Sequence, residues 1–400
     1  MAELSIGEVY RAQMVLKDVA RHPKIIGPTD FSDNCRIYLK PENLQHTGSF
    51  KLRGAYYKIS QLSPEEKSRG VIACSAGNHA QGVALGATHN GIKSLICLPA
   101  GAPISKIEAT KRLGAEVCLV PGVYDDAYRK ALELRDEHGY TFVHPFDDPL
   151  VIAGQGTIGL EILEEMPDVE AIVVPVGGGG LVSGVAFAVK TLRPDIKVYG
   201  VQAAGAPSME HSLRDGKIER LEKVATIADG IAVKEPGVNT FDLCQKYVDE
   251  IVTVNDDEIA AAILALIEKQ KLVAEGAGAA AVAAAMYGKL PLKGMKVVCL
   301  VSGGNIDVNM LNRIINRGLA KKGRLCQLEL ELQDKPGTLS AVLKIVADAG
   351  GNILAVNHER VGAPTEINSC LLHLELETLN DAHIQSIRTA LADAGFKLLS

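Results

Sequence analysis

The chain has 400 residues, 47% apolar and 22% charged, with a formal net charge of −6 and no tryptophan. That length exceeds what one ordinary core holds, so two or three domains built on aliphatic cores are expected. The modest negative charge, without any lysine–arginine block, argues against nucleic acid as a partner.

A helical pattern (Ile6, Val9, Met14, Val15, Val19) occupies part of 1–27 and ends before Pro23. A strand at 36–39 leads into KPENLQHTGSFKLRGA, residues 40–55. Strands at 71–74, 94–98 and 116–120 then alternate with helices at 79–89, 105–113 and 125–137, the rhythm of parallel βαβ units. PFDDP at 145–149 reads as a crossing between lobes. A helix at 153–166, a strand at 171–176, a helix at 181–192 and a strand at 197–202 follow. The next assignments are a strand at 250–254, helices at 256–271 and 277–287, and a strand at 296–301. Two α/β lobes with a cleft between them fit this order, with ligands bound beyond the carboxyl ends of the strands. After a helix to about 321 and a short polar linker, the character changes. Strands at 326–332, 352–359, 368–377 and 396–399, with helices at 339–349 and 382–395, give βαββαβ, the ferredoxin-like arrangement. The expected domains are 1–322, with a small lobe of about 48–150 inserted in a large one, and 325–400.

No apolar run reaches the length of a membrane span, and MAELSIGEVYRAQ lacks a basic-then-apolar secretory signal. The eight cysteines contain no C-x-x-C, and several sit inside apolar runs such as VIACS and VVCLV. Reduced thiols, a cytoplasmic location and no metal site are therefore expected.

Three stretches join Lys51 as carriers of chemistry. Lys51 follows the small-residue turn Thr47-Gly48-Ser49 and Phe50. A lysine held in a dry pocket has a lowered pKa and a free amine able to form a Schiff base, whereas a surface turn would leave it solvated. Gly177, Gly178, Gly179 and Gly180 join a strand to a helix, so their N–H groups and the helix N-terminus make a seat for a lone phosphate. Counted from Gly177, the turn does not spell a dinucleotide G-x-G-x-x-G, because Val182 falls at the last glycine, and no G-x-x-x-x-G-K-[ST] loop is present, which disfavours a nucleotide triphosphate. Ser75, Ala76, Gly77, Asn78 and His79 occupy another strand-to-helix junction. They suit a substrate carboxylate and a cofactor oxygen, or simply an N-cap at Ser75 or Asn78. Ser302-Gly303-Gly304-Asn305 ends the last strand, where the hydroxyl can face a ring nitrogen or the glycines can form a plain turn.

KPENLQHTGSFKLRGA, SAGNHAQG, VGGGGL and VSGGN, in this order, resemble the threonine dehydratases (threonine ammonia-lyases), pyridoxal-phosphate enzymes of the tryptophan-synthase-β type. The resemblance covers about residues 5–320 and implies fold type II with pyridoxal 5′-phosphate as cofactor. It implies that Lys51 holds the cofactor and moves the Cα proton, Phe50 packs near the ring, and Asn78 meets the ring hydroxyl. Gly177 to Gly180 would cradle the phosphate, Ser302 would face the pyridine nitrogen, and Ser75 to His79 would hold the substrate carboxylate. The implied reaction turns threonine into 2-oxobutanoate and ammonia, and serine into pyruvate. The tail, LELELQDKPGTLSAVLKIVADAGGNI, is similar to an ACT domain, a regulatory amino-acid-binding module. Asp334, Gly337 and Asn352 are its candidate effector residues, Asn352 being expected to start the second strand close to the turn at 334–337, with isoleucine or valine as effectors and a homo-oligomer, dimer or tetramer, as the assembly. Related racemases carry a serine where this chain has Ala76, so racemisation is expected to be weak. A serine or hydroxyaspartate lyase, a serine racemase, and a catalytically inert amino-acid sensor are the competing readings.

Overall fold

The computed structural model describes residues 4–360 and 367–399. The chain falls into two compact units, Met1–Ile306 and Asp307–Ser400.

Among the described residues, the first unit holds a six-stranded and a four-stranded sheet. The larger runs in the order Ile26–Thr29, Arg36–Lys40, Lys296–Leu300, Ala171–Pro175, Lys197–Ala203, Glu250–Val254. It is parallel except where Ile26–Thr29 pairs with Arg36–Lys40. The smaller, in the order Glu116–Val120, Ser94–Pro99, Val71–Cys74, Thr141–Phe142, is parallel throughout. The chain leaves the larger sheet after Lys40, builds the smaller one, and returns at Ala171. Val71–Cys74 and Ala171–Pro175 are buried at every position, as strands covered on both faces must be. The cores are aliphatic. Ile172, Val174, Val198 and Val298 pack on Val182, Val185 and Val189 in one lobe. Val71, Ala73 and Ile96 pack on Val83 and Ala84 in the other.

Helix Lys51–Ser60 crosses helix Pro149–Glu165 at the closest possible approach. A Cβ on Gly154 would stand 2.6 Å from the Cα of Gly54, so only glycine fits the crossing. The second helix starts firmly, with Asp148 accepting from the Leu150 and Val151 N–H groups and Pro149 at its first position. Beneath the crossing lies a buried ionic cluster. Fully buried Arg53 holds Glu42 and Glu161, and Lys40 reaches Glu161 at 2.9 Å.

The stretch at 256–271 differs from the single helix expected. The α-helix is Asp256–Ala265, and Leu266–Gln270 widens so that the Lys271 N–H reaches the Leu266 carbonyl, with Lys271 at φ 58°. The chain then runs extended into Glu275. Two helices, Ser208–Asp215 and Val238–Tyr247, fill the interval that carried no assignment. No helix among the described residues is long and apolar enough to cross a membrane.

The second unit opens with helix Val308–Lys321, then shows the βαββαβ order. Its antiparallel sheet runs Asn352–Glu359, Ser369–Glu377, Leu325–Gln333, Lys397–Leu398, with helices Thr338–Asp348 and Asp381–Asp393. Leu328, Leu330, Leu372 and Leu374 of the sheet meet Val342, Val346, Ile387 and Leu391 of the helices. One expectation is corrected here: Asn352 does not start its strand beside the turn that holds Asp334 and Gly337. Leu325 and Asn352 both pair with Glu377, so the two strands run parallel and begin at the same end of the sheet. Asp334 lies nine residues further on, about 30 Å along the strand direction. Asn352 instead donates to Glu377 at 3.1 Å.

Candidate active site

The first unit contains a cavity of about 820 Å³ lined by Phe50, Lys51, Asn78, Ser302 and the glycine turn, among others. Lys51 is the first residue of helix Lys51–Ser60, and Phe50 caps it. The turn before it is stitched to the end of strand Lys296–Leu300. The Phe50 N–H donates to the Ser302 carbonyl at 3.1 Å, and the Gly304 N–H to the Gly48 carbonyl at 2.9 Å. Asn305 Nδ2 donates to the Thr47 carbonyl at 2.7 Å. Lys51 and Ser302, far apart in sequence, are thus fixed as neighbours. Lys51 Nζ donates to the Pro145 carbonyl at 2.7 Å and stands 5.3 Å from the Phe50 ring centroid. Burial pushes its amine down to about 8, against an opposing pull from Glu275.

Gly177 to Gly180 join strand Ala171–Pro175 to helix Gly180–Leu192. Gly179 has φ +97°, and a Cβ on Gly178 would sit 2.5 Å from the Phe146 ring. Only glycine fits, which leaves N–H groups and a helix N-terminus facing the cavity. The Thr240 hydroxyl donates to the Gly178 carbonyl at 2.6 Å, and Asp147 accepts from the Thr240 N–H at 3.1 Å, so the turn is held from outside.

Ser75, Ala76 and Gly77 link strand Val71–Cys74 to helix Asn78–His89. The N-cap is Gly77, without a side-chain cap, so neither Ser75 nor Asn78 serves as that cap. Ser75 Oγ accepts from the Gly77 N–H at 3.1 Å. His79 lines the cavity, yet its ring is buried and its Nε2 meets the Val143 carbonyl at 2.8 Å. Burial and the Lys51 charge push it down to about 3, so it is a neutral, structural ring at pH 7.

Glu275 escaped the sequence reading. Its Oε1 accepts from Asn78 Nδ2 at 2.6 Å, while Asn78 Oδ1 accepts from Asn305 Nδ2 at 2.7 Å. This chain of bonds fixes the amide so that its oxygen and nitrogen cannot exchange roles. Burial, with the Asp229 charge adding, pushes the Glu275 carboxyl up to about 7. Its only sequence signal is a single charge inside LVAEGAGAAAVAAAM.

The residues fit pyridoxal phosphate: a buried amine lowered to about 8, an anion seat that admits no side chain, a fixed amide, and a hydroxyl at Ser302, all on one cavity. Residues 26–303 match the family described as pyridoxal-phosphate dependent enzyme, and 327–386 match the ACT domain. The chain is 53% identical over 397 residues to an L-threonine ammonia-lyase of Thermotoga maritima, covering 99% of each. It is 45% identical to an L-threonine ammonia-lyase of Geobacter sulfurreducens, covering 97% of each. A threonine deaminase isoform 2 from Solanum lycopersicum has the same fold, with a TM-score of 0.73 and 40% identity over 77% of this chain and 92% of that one. Maize serine racemase aligns with a TM-score of 0.75 and 32% identity over 80% of this chain and 99% of its own. The expected fold, cofactor and family hold: the chain belongs to the pyridoxal-phosphate-dependent enzymes and carries an ACT domain in its second unit.

Proposed function

We propose that this enzyme removes water and then ammonia from L-threonine to give 2-oxobutanoate, and acts on L-serine in the same way to give pyruvate. The observation that carries the reading is the convergence of Lys51, the glycine turn, Asn78 and Ser302 on one cavity, in a chain so close to relatives of that name. The cofactor, when bound, supplies the electron sink for a broken Cα–H bond. The chain supplies the rest. Gly177 to Gly180 would hold the phosphate, and Asn78 would meet the ring hydroxyl. Ser75 to His79 offer backbone N–H groups and a hydroxyl to the substrate carboxylate. Lys51, with its amine near 8, passes readily between its charged and neutral forms and takes the Cα proton. Ser302 would offer the ring nitrogen a neutral hydroxyl, which would not keep that nitrogen protonated as a carboxylate would, so the electron sink would be weaker. That setting would favour prompt loss of the β-hydroxyl. Ala76 offers no proton to the opposite face of Cα, which separates this reading from racemisation.

Ammonia release measured across threonine, serine, hydroxyaspartate and their D-isomers tests the reading. Threonine is expected to turn over best, with little racemisation of either substrate. No ammonia from threonine overturns it. Lys51→Ala is expected to abolish turnover with an unchanged far-UV spectrum, and sustained turnover by that variant removes Lys51 from its role.

The ACT unit extends the proposal to control by a small amino acid, isoleucine or valine, in a homo-oligomer. Strand Asn352–Glu359 is a sheet edge with Leu354 52% and Val356 43% exposed, an edge that a second copy covers well. Since Asn352 and Asp334 lie at opposite ends of one sheet, an effector touching both needs a second copy. Substrate-saturation curves of the full chain and of a chain lacking residues 325–400, with and without isoleucine or valine, test this; a full chain indifferent to both, with a truncated form that behaves identically, refutes it. We take the eight cysteines, scattered without any C-x-x-C, as reduced thiols of a cytoplasmic protein.

A further inference from the structure

Far from the catalytic cavity in sequence, three unlike donors meet in the second unit. Cys370 lies on strand Ser369–Glu377, His358 on strand Asn352–Glu359, and Asp334 just after strand Leu325–Gln333. Their positions follow from register: Cys370 pairs with Leu332, and His358 pairs with Leu372, one step along the same face. His358 Nε2 is 2.8 Å from Cys370 Sγ, and one ligand atom from each of the three residues lies within 4.8 Å of the others. The thiol is buried, the imidazole half-buried and the carboxylate exposed, so the set opens to solvent on one side.

We propose that Asp334, His358 and Cys370 form a binding site for one zinc-class divalent ion, with water as the fourth ligand. Thiolate and imidazole are borderline-soft donors that select zinc and its neighbours over calcium or magnesium. Zinc–nitrogen bonds of about 2.0–2.1 Å and zinc–sulfur bonds of about 2.3 Å place tetrahedral N and S ligands roughly 3.5 Å apart. The His358–Cys370 pair at 2.8 Å has to open by only about 0.7 Å to admit an ion. Arg360 Nε now donates to both Asp334 oxygens, at 3.1 and 3.0 Å. On binding, one oxygen turns to the metal and the other keeps Arg360, which orients the carboxylate. The bound ion ties three strands together at the end of the sheet where the turn at 334–337 leads into helix Thr338–Asp348. The expectation of no metal site rested on the missing C-x-x-C, a signal blind to ligands brought together across strands.

The test uses the full chain with its cofactor. Zn2+ uptake is measured by equilibrium dialysis and elemental analysis, and Co2+ serves as a spectroscopic probe at wavelengths beyond the cofactor's absorption. The wild type is expected to take up one ion per chain and to show the intense visible bands of tetrahedral Co2+. Cys370→Ala is expected to lose both. Asp334→Asn is expected to weaken binding on the order of tenfold or more, and His358→Asn, at a less buried position, to do the same while threonine turnover persists. His358→Asn keeps the test decisive if Cys370→Ala does not fold. No uptake by the wild type, or uptake unchanged in Cys370→Ala and His358→Asn, overturns the site and leaves an ordinary histidine–cysteine hydrogen bond.

Discussion

Arg53→Met is expected to be among the most costly single changes in the first unit. Arg53 is fully buried, two positions after Lys51 on the same helix. Its Nε and Nη2 donate to the two Glu42 oxygens, each at 2.8 Å. Its Nη1 and Nη2 donate to Glu161 at 2.5 and 3.0 Å, and further bonds reach Thr157 at 3.1 Å and the Arg21 carbonyl at 3.3 Å. Methionine fills much of the volume but leaves two buried carboxylates to share one cation, Lys40, which touches only Glu161 of the two. Glu42 would keep a single long contact, Gln45 Nε2 at 3.5 Å. Breaking a buried ion pair from one side costs about 3–5 kcal/mol, so the variant should lose roughly 4 kcal/mol. The pH dependence has a definite sign. Burial alone would raise the Glu161 carboxyl, but Arg53 and Lys40 outweigh it and hold it below the usual range. A depressed carboxylate contributes stability that is present above its unfolded value and lost as pH falls through its folded value. The gap between wild type and variant is therefore widest at neutral pH and narrows as the carboxylates protonate. With no tryptophan in the chain, urea unfolding followed by far-UV circular dichroism is the suitable assay. Adding Glu42→Gln to the variant should restore part of the loss, because it removes the stranded charge. A variant within about 1 kcal/mol of wild type, with no recovery in the double mutant, refutes the reasoning.

Two further variants test the cavity. Glu275→Gln should shift the midpoint for amine-specific labelling of Lys51 in cofactor-free protein below about 8, since the glutamate charge opposes the downward push of burial; an unmoved midpoint disconnects the two groups. The same variant should also lack the loss of stability that the wild type suffers between about pH 4.5 and 7, where a carboxyl raised by burial gives up its proton only in the unfolded chain. Gly178→Ala puts a methyl 2.5 Å from the Phe146 ring and should cost about 1–3 kcal/mol. It should also release pyridoxal phosphate faster on dialysis, and unchanged retention would separate the turn from the phosphate.

The parallel strands were legible because burial on both faces writes itself as short, unbroken apolar runs: VIAC, AIVVP and KVVCL became strands within a residue of the positions read. The junction motifs were legible for a related reason, since a strand-to-helix turn that must expose its N–H groups has few residue choices. Residues 203–249 were not. Helix Ser208–Asp215 is short, and only Ser208, Met209 and Ser212 are buried on it, so its apolar face never forms a stripe. Yet this interval supplies Thr240, which braces the glycine turn, and Asp229, which helps to raise Glu275. The misplaced Asn352 shows a different limit. Proximity to the turn at 334–337 was inferred from chain order, but the direction of a strand, and hence which end meets the turn, is set by its pairing partners.

Glu275 marks where local reading stops and long-range reading begins. Taken alone, one carboxylate at the start of an alanine-rich helix is an ordinary N-terminal acid, favoured by the helix dipole. It sits at the position just before helix Gly276–Met286 but makes no side-chain cap there. It is buried, and its strongest bond runs to Asn78, 197 residues away. A buried carboxylate is costly unless something holds it, and here the Asn78 amide, then the charges of Lys106 and Lys51, offset part of what burial and Asp229 cost. The two titrating groups lie within electrostatic reach at about 7 and about 8, so each lowers the cost of charging the other. That reciprocity lets a dry cavity keep an amine that changes its charge near neutral pH, the property that the proposed proton transfer at Cα requires. The carboxyl inside LVAEGAGAAAVAAAM is therefore held in the core by Asn78, Lys106 and Lys51 together, and Glu275 in turn keeps burial from lowering the Lys51 amine further.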